Sequence, residues 1–258
     1  MPSSFLSECK QKVLSRIESL LVNKDKITSS MRYSALADSK CIRAGLVFAS
    51  GKLEGQLDEV GLTDIATSIE LMHSYSLIHD DLPAMDDDAL RRGKPTVHKR
   101  FNEATAILAG DALLTRAFNI LASDSTHSNP AVRCELVLDL SLAAGAHGMV
   151  GGQMIDLKAE SADLDIGAIT RLQRLKTGRL IDFGCQAGAI LGRAPTSARE
   201  ALRGYTHDMG LAFQIADDLL DITGDAATVG KAVGKDATKG KATFVSVLGV
   251  ERARDQAN

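Results

Sequence analysis

Residues 80 to 92 read DDLPAMDDDALRR, and this stretch constrains the chain more than any other. It sets Asp80, Asp81, Asp86, Asp87 and Asp88 directly before Arg91 and Arg92. Carboxylates so close repel one another, so the segment calls for something cationic to neutralise it. Two adjacent arginines suit an oxyanion. A metal-bridged phosphate meets both demands, and a solvated acidic turn is the plainer alternative. The apolar run Ser76-Leu77-Ile78 leads in, and Pro83 limits any regular helix beyond it.

A second acidic set lies in LAFQIADDLLDI, residues 211 to 222. Gln214, Asp217, Asp218 and Asp221 stand at i, i+3, i+4 and i+7, one stripe of a helix. Phe213, Ile215, Leu219 and Leu220 make the rest of that helix apolar. A solvated face would more often mix lysine or arginine among the acids. Two such clusters facing one another in a bundle would share hard divalent ions, and Mg²⁺ favours a few carboxylates plus substrate phosphate. Candidate cations for the anion are Lys40, Arg43, Arg91, Arg92, Lys176, Lys231, Lys235 and Lys241, the last three among Gly230, Gly234 and Gly240.

The remaining sequence predicts an all-α protein. No sustained period-2 alternation appears. Tryptophan is absent and aromatics make up 4% of the 258 residues, which argues against base-stacking platforms and an aromatic β core. A net charge of -3 gives no field drawing the chain to nucleic acid. Helices are expected over residues 5–22, 31–51, 63–81, 101–122, 165–191 and 197–222. A further one is expected over 131–157, interrupted at Gly145, Gly148, Gly151 and Gly152, and a last one from Val245. The second would put Lys40 and Arg43 on one face. Residues 223–243 read as a Gly/Lys-rich loop. Cys9, Cys41, Cys134 and Cys185 show no metal or disulfide spacing, which predicts reduced thiols. The N-terminus lacks a continuous apolar segment and no run reaches the ~20 apolar residues that span a bilayer. The expectation is one domain over 1–258, cytoplasmic, with no membrane span and no nucleic-acid partner.

These residues resemble a known family. DDLPAMD with Arg91-Arg92, and Phe213-Gln214 with DDLLD, are similar to the two aspartate-rich motifs of the trans-isoprenyl diphosphate synthases. HSYSLIHDDLPAMDDDALRRGKPTVHKRF, AILAGDAL, GMVGGQMIDL, KTG and GKAVGKDATKGKATF extend the likeness over roughly residues 31 to 252. It is strongest to bacterial farnesyl diphosphate synthases, also called geranyltranstransferases. The resemblance implies an isoprenoid-synthase helical bundle around a central cavity, assembled as a homodimer. It implies a short-chain prenyltransferase that condenses isopentenyl diphosphate head-to-tail with an allylic diphosphate, dimethylallyl or geranyl.

The roles it implies fall residue by residue. Asp80 and Asp86, with Asp81 nearby, would hold two Mg²⁺ ions on the allylic diphosphate. Asp217 would hold a third, supported through water by Asp218 and Asp221. Arg91, Lys176 and Lys241 would bind that diphosphate, with Lys231 a weaker candidate. Lys40, Arg43, His73 and Arg92 would bind isopentenyl diphosphate. Dipoles at Lys176-Thr177 and at Gln214 would stabilise the carbocation, and the released diphosphate would accept the proton. His73 precedes Asp80 by two helical turns on the same face. Tyr75 and Ser76 lie about 6–8 Å beneath Asp80 along a helix; a Tyr ring there matches the farnesyl-forming pattern, with a geranylgeranyl product as the alternative.

The likeness has gaps. Where the family reads Gly-Gly-Lys-Arg-x-Arg-Pro, this chain has Asp38-Ser39-Lys40-Cys41-Ile42-Arg43-Ala44. Family members also continue for a few helices past the position of Asn258, so the expectation is a C-terminally short bundle. Both departures motivate a competing reading, a non-catalytic homologue. An HD-type metal phosphohydrolase using His79-Asp80 and a terpene cyclase are the others. The former leaves Arg91-Arg92 and the second stripe unexplained, and DDLLD argues against the latter.

Overall fold

The computed structural model describes residues 3–54, 58–159, 164–223, 245 and 249–257; of residues 217, 220–223 and 256–257 it describes the backbone alone. Lys231, Lys235 and Lys241, and the loop expected over 223–243, therefore lie outside the described residues from 224 onward. The described part is built from helices α1 (Ser3–Leu20), α2 (Lys26–Ala35), α3 (Ile42–Gly51), α4 (Glu59–Asp80), α5 (Val97–Arg100), α6 (Glu103–Ala122), α7 (Pro130–Ala144), α8 (Met149–Ala159), α9 (Ile166–Gln173), α10 (Arg179–Leu191), α11 (Thr196–Thr223) and α12 (Val250–Ala257). The fold is all-α. Its described strand content is one hairpin, β1 (Leu90–Arg91) antiparallel to β2 (Lys94–Pro95).

The chain divides into two compact units, Met1–Asp139 with Gly184–Arg199, and Leu140–Phe183 with Glu200–Asn258. Helix α4 is the spine of the first. It is apolar all round, with Leu62, Ile65, Ile69, Leu71, Met72 and Ile78 buried, as a helix enclosed by others must be. Two of its buried polar side chains, Asp64 and Ser68, are matched, while the Thr67 hydroxyl is buried with no hydrogen-bond partner among the described residues. Asp64 accepts from Arg16 at 2.7 Å and from Ser125 at 3.0 Å, and Ser68 donates to the Ala117 carbonyl. Asp58 caps its N-terminus through the Gly61 N–H.

Helix α6 lies against α4 with Ala106, Ala109, Leu113, Ala117 and Leu121 buried. At 20 residues and mean hydropathy 1.3 it is long and apolar enough to cross a membrane. This corrects the expectation that no segment reaches that length. Its composition has another cause here, since its small side chains let it approach α4 closely.

The helix expected over 31–51 is two helices. Asp25 caps the Thr28 N–H, so α2 begins at Lys26 and closes at Leu36. Cys41 then takes a left-handed conformation, φ 48°, before α3 starts. Lys40 consequently sits exposed in the intervening loop while Arg43 is in the first turn of α3, and the predicted shared helical face does not exist. Likewise 165–191 is two helices joined by a π-helical turn, Arg174–Gly178.

The second unit gathers Ile169, Ile215, Val245 and Ala253 into a core, with Leu164, Leu211, Leu219 and Val250 packed on it. Gly152 of α8 lets the π-turn approach: a Cβ there would collide with the Lys176 backbone nitrogen and stand 2.6 Å from its Cα.

Candidate active site

The first acidic segment folds into a closed turn at the end of α4. The Asp86 N–H donates to the Asp80 carbonyl at 2.8 Å, and the N–H groups of Met85 and Asp87 donate to that of Leu82. These bonds bring Asp86 back beside Asp80, both half-buried. Asp81 points inward, and Arg91 binds it through Nε at 2.7 Å and Nη2 at 2.6 Å. Burial pushes the Asp81 carboxyl up, against the pull of Arg91. Burial also works against the Arg91 charge, but the bond to Asp81 and the charges of Asp81, Asp88 and Asp80 outweigh it and hold Arg91 protonated. The hairpin fixes this arginine: Arg92 (φ 52°) and Gly93 (φ 74°) are both left-handed, the two-residue turn whose twist suits paired strands.

Asp80 and Asp86 thus form the part of the segment suited to a hard cation. Among the described residues no three His, Cys, Asp or Glu side chains stand close enough to hold a metal alone. Mg²⁺ is held by one or two carboxylates and fills the rest of its shell with water and substrate phosphate.

A cationic group adjoins the same helix. Burial drives the His73 imidazole well below its usual value, and the charges of Arg43, Arg92 and Arg91 push it further. Burial and the positive charges of three arginines thus both favour the neutral ring. Buried Glu70, one turn earlier, accepts from the Ala44 N–H at 3.2 Å. Burial raises its pKa, opposed by Arg43. Arg43 Nε is buried with no hydrogen-bond partner, a donor left for an anion. Glu70 was not expected from sequence; the signal was a carboxylate within the apolar stretch Ile69–Met72 of α4, three residues before His73. Cys41, where the family has arginine, is buried beside the Ser39 hydroxyl, and burial followed by the Glu70 charge pushes its thiol up to about 11.

Below Asp80, Tyr75 is buried. Its phenol is pushed up to about 12, by burial first and by the Asp80 charge second. The Ser76 hydroxyl donates to the His73 carbonyl. His79 lies against α6, its Nε2 3.1 Å from the Ile107 carbonyl oxygen, which gives no support to an HD-type metal site.

In the second unit the π-turn carries Lys176 and Thr177. Lys176 Nζ binds buried Asp156 at 2.7 Å. Thr177 Oγ1 lies 3.5 Å from Gln214 Oε1, whose amide Nε2 donates to buried Asp218 at 3.1 Å. Asp217 and Asp221 follow on the α11 backbone at the expected spacing. Phe213 is 39% exposed, so the helix is less enclosed than its composition suggests, although Ile215 is fully buried. Asp156, inside GMVGGQMIDL, is the second residue missed: its partner is 20 positions away and nothing local announces the pair. A cavity of about 180 Å³ in this unit is lined by Arg174, Gly178, Arg179, Asp182, Thr206 and Gly210 among others, none of them expected site residues.

Residues 24–258 match the polyprenyl synthetase family model. The chain is 43% identical over 256 residues to farnesyl diphosphate synthase of Geobacillus stearothermophilus, covering 98% of this chain and 86% of that protein. It is 46% identical over 233 residues to the Escherichia coli farnesyl diphosphate synthase, covering 90% and 78%. An FPP/GFPP synthase from Zymomonas mobilis superposes with TM-score 0.89 at 45% identity, covering 98% and 88%. A Helicobacter pylori geranyltransferase, solved in complex with magnesium and isoprenyl diphosphate, does so with TM-score 0.84 at 33% identity, covering 100% and 88%. The chain belongs to the polyprenyl synthetase family.

Proposed function

We propose that this chain is a short-chain trans-prenyltransferase that condenses isopentenyl diphosphate with dimethylallyl or geranyl diphosphate to give farnesyl diphosphate. The observation carrying this reading is the closed turn that brings Asp86 back beside Asp80 at the end of α4, together with the charges of Arg43, Arg91 and Arg92 acting on His73 of the same helix. Such a place takes a cation and an anion together. The relatives at 43% and 46% identity bear the same activity in their names.

Asp80 and Asp86 would hold magnesium in the first unit, and Asp217, with Asp218 and Asp221 in support, in the second. About three ions are expected with substrate bound. When bound, the metal supplies positive charge that stabilises the departing diphosphate. Arg91, Lys176 and Lys241 hold the allylic diphosphate, with Lys231 assisting. Arg43, Arg92, His73 and Lys40 hold isopentenyl diphosphate; neutral His73 does so as a hydrogen-bond donor. The allylic C–O bond breaks, and the isopentenyl double bond attacks the cation. The proton then leaves to the released diphosphate. Thr177 and Gln214 present oxygen dipoles to the cation in this scheme. Tyr75, backed by Ser76 on the next position, ends the space for the growing chain at fifteen carbons.

The enzyme acts as one domain over 1–258 and as a homodimer in the cytoplasm. Ile107 and Leu108, 45% and 57% exposed on α6, are an apolar surface suited to a second copy. Four free cysteines accord with a reducing compartment. The test is incubation with Mg²⁺, isopentenyl diphosphate and geranyl diphosphate, followed by product-length analysis. Farnesyl diphosphate is expected, and Tyr75→Ala should add a twenty-carbon product.

A further inference from the structure

Tyr75 can end a growing chain only while its ring keeps one position, and α4 and α6 supply a device that holds it. His79, one turn on along α4, meets the Tyr75 ring edge-on, with centroids 5.7 Å apart and planes at 86°. Positions i and i+4 of a helix face the same way, and edge-to-face aromatic contact favours this angle. His79 is itself anchored. Its Nε2 lies 3.1 Å from the Ile107 carbonyl oxygen, which requires the proton on Nε2, and 3.9 Å from the Asp111 carboxylate.

The third contact explains a glycine. Gly110 occupies the middle of α6, where glycine is unfavourable beside alanine. Its backbone is ordinary, since it is not among the residues with positive φ. The reason for glycine is space. A Cβ at 110 would collide with His79 Nε2 and stand 2.5 Å from Cδ2 and 2.9 Å from Cε1. The imidazole rests on the bare Cα, so Gly110 seats His79 and His79 buttresses Tyr75.

We infer that His79, seated on Gly110, is a positioning residue for product length, holding the Tyr75 ring across the path of the growing chain. This rests on the reading of Tyr75 as the chain stop. His79 touches no substrate in this scheme and acts through Tyr75 alone.

The experiment measures product length from isopentenyl and geranyl diphosphates with Mg²⁺ for five proteins: the parent, Tyr75→Ala, His79→Ala, Gly110→Ala and the double variant His79→Ala/Gly110→Ala. Loss of the ring contact should raise the ratio of twenty- to fifteen-carbon product about two- to tenfold in His79→Ala. The rate of geranyl consumption should stay within about twofold, because no catalytic contact changes. Gly110→Ala should lengthen the product and lower the melting temperature. In the double variant the melting temperature should recover, because the clash is gone, while the product stays long. A merely structural role for His79 would move the melting temperature and leave the ratio alone. If Tyr75→Ala lengthens the product and neither His79→Ala nor the double variant does, the buttress is wrong and the Tyr75 reading stands. If Tyr75→Ala also leaves product length unchanged, both fall.

Discussion

The two aspartate-rich segments solve one electrostatic problem in different ways. The first folds as a turn that brings its own counter-ions. Asp81 turns inward onto Arg91, and Lys99 approaches Asp87 at 3.8 Å. That separates a structural acid from Asp80 and Asp86, which share the closed turn. The second is a stripe on a straight helix, where spacing alone aligns the acids. Its described carboxylate, Asp218, is buried and takes the Gln214 amide rather than a guanidinium from its own segment. A turn can sort its carboxylates into different roles. A helix repeats one orientation, and Asp218 is partnered by Gln214 of the same stripe.

The largest effects should come from the acids assigned to metal. Asp80→Ala and Asp217→Ala should each lower turnover by about 10²–10³ or more, the scale of losing transition-state charge stabilisation, while far-ultraviolet circular dichroism stays unchanged. Near-parental activity in either variant would remove that residue's metal assignment.

Next comes the acid assigned to structure. Arg91→Gln leaves the Asp81 carboxylate buried without its guanidinium. Because Arg91 is itself about a third exposed, the expected loss of unfolding free energy is about 2–3 kcal/mol, below the full value for an enclosed pair. Asp81→Asn in the same background should recover part of it. Equal destabilisation by Arg91→Gln and Asp80→Ala would erase the distinction between the two kinds of acid.

On the second side, Asp156→Asn should lower kcat about tenfold by loosening Lys176, a charge-assisted bond of the stronger class. An unchanged kcat would show that Asp156 does not position Lys176.

The smallest effect is on pH dependence. His73 binds its proton less readily folded than unfolded. The stability this contributes is present above the unfolded value of about 6.5 and is lost as pH falls through the depressed folded value. Unfolding titrations of His73→Gln should therefore show a shallower loss of stability below about pH 6.5. An unchanged slope would mean that folding does not lower the proton affinity of His73.

The periodic parts of this molecule were legible from its residues. Helices α1, α4 and α11 lie within a few positions of their expected bounds, because long apolar repeats bury in only one way. The break at 36–41 was not legible. Asp25 capping and the left-handed Cys41 are single-residue events that no repeat reports. The π-turn was hidden for a similar reason, since it depends on Gly152 in another helix. At the site, residue types pointed to the acidic run 80–88 with Arg91 and Arg92, and the family resemblance singled out Asp80, Asp86, Arg91 and His73 within and before it. Glu70, Asp156 and the His79–Gly110 contact required three-dimensional neighbours, because each pairs residues separated by 20 or more positions.

Product analysis is the decisive measurement of prenyl transfer. Purified protein with Mg²⁺, isopentenyl diphosphate and geranyl diphosphate should yield farnesyl diphosphate and inorganic diphosphate in equal amounts, with no turnover when the metal is chelated. Absence of any prenyl product with dimethylallyl, geranyl or farnesyl primers would contradict the account.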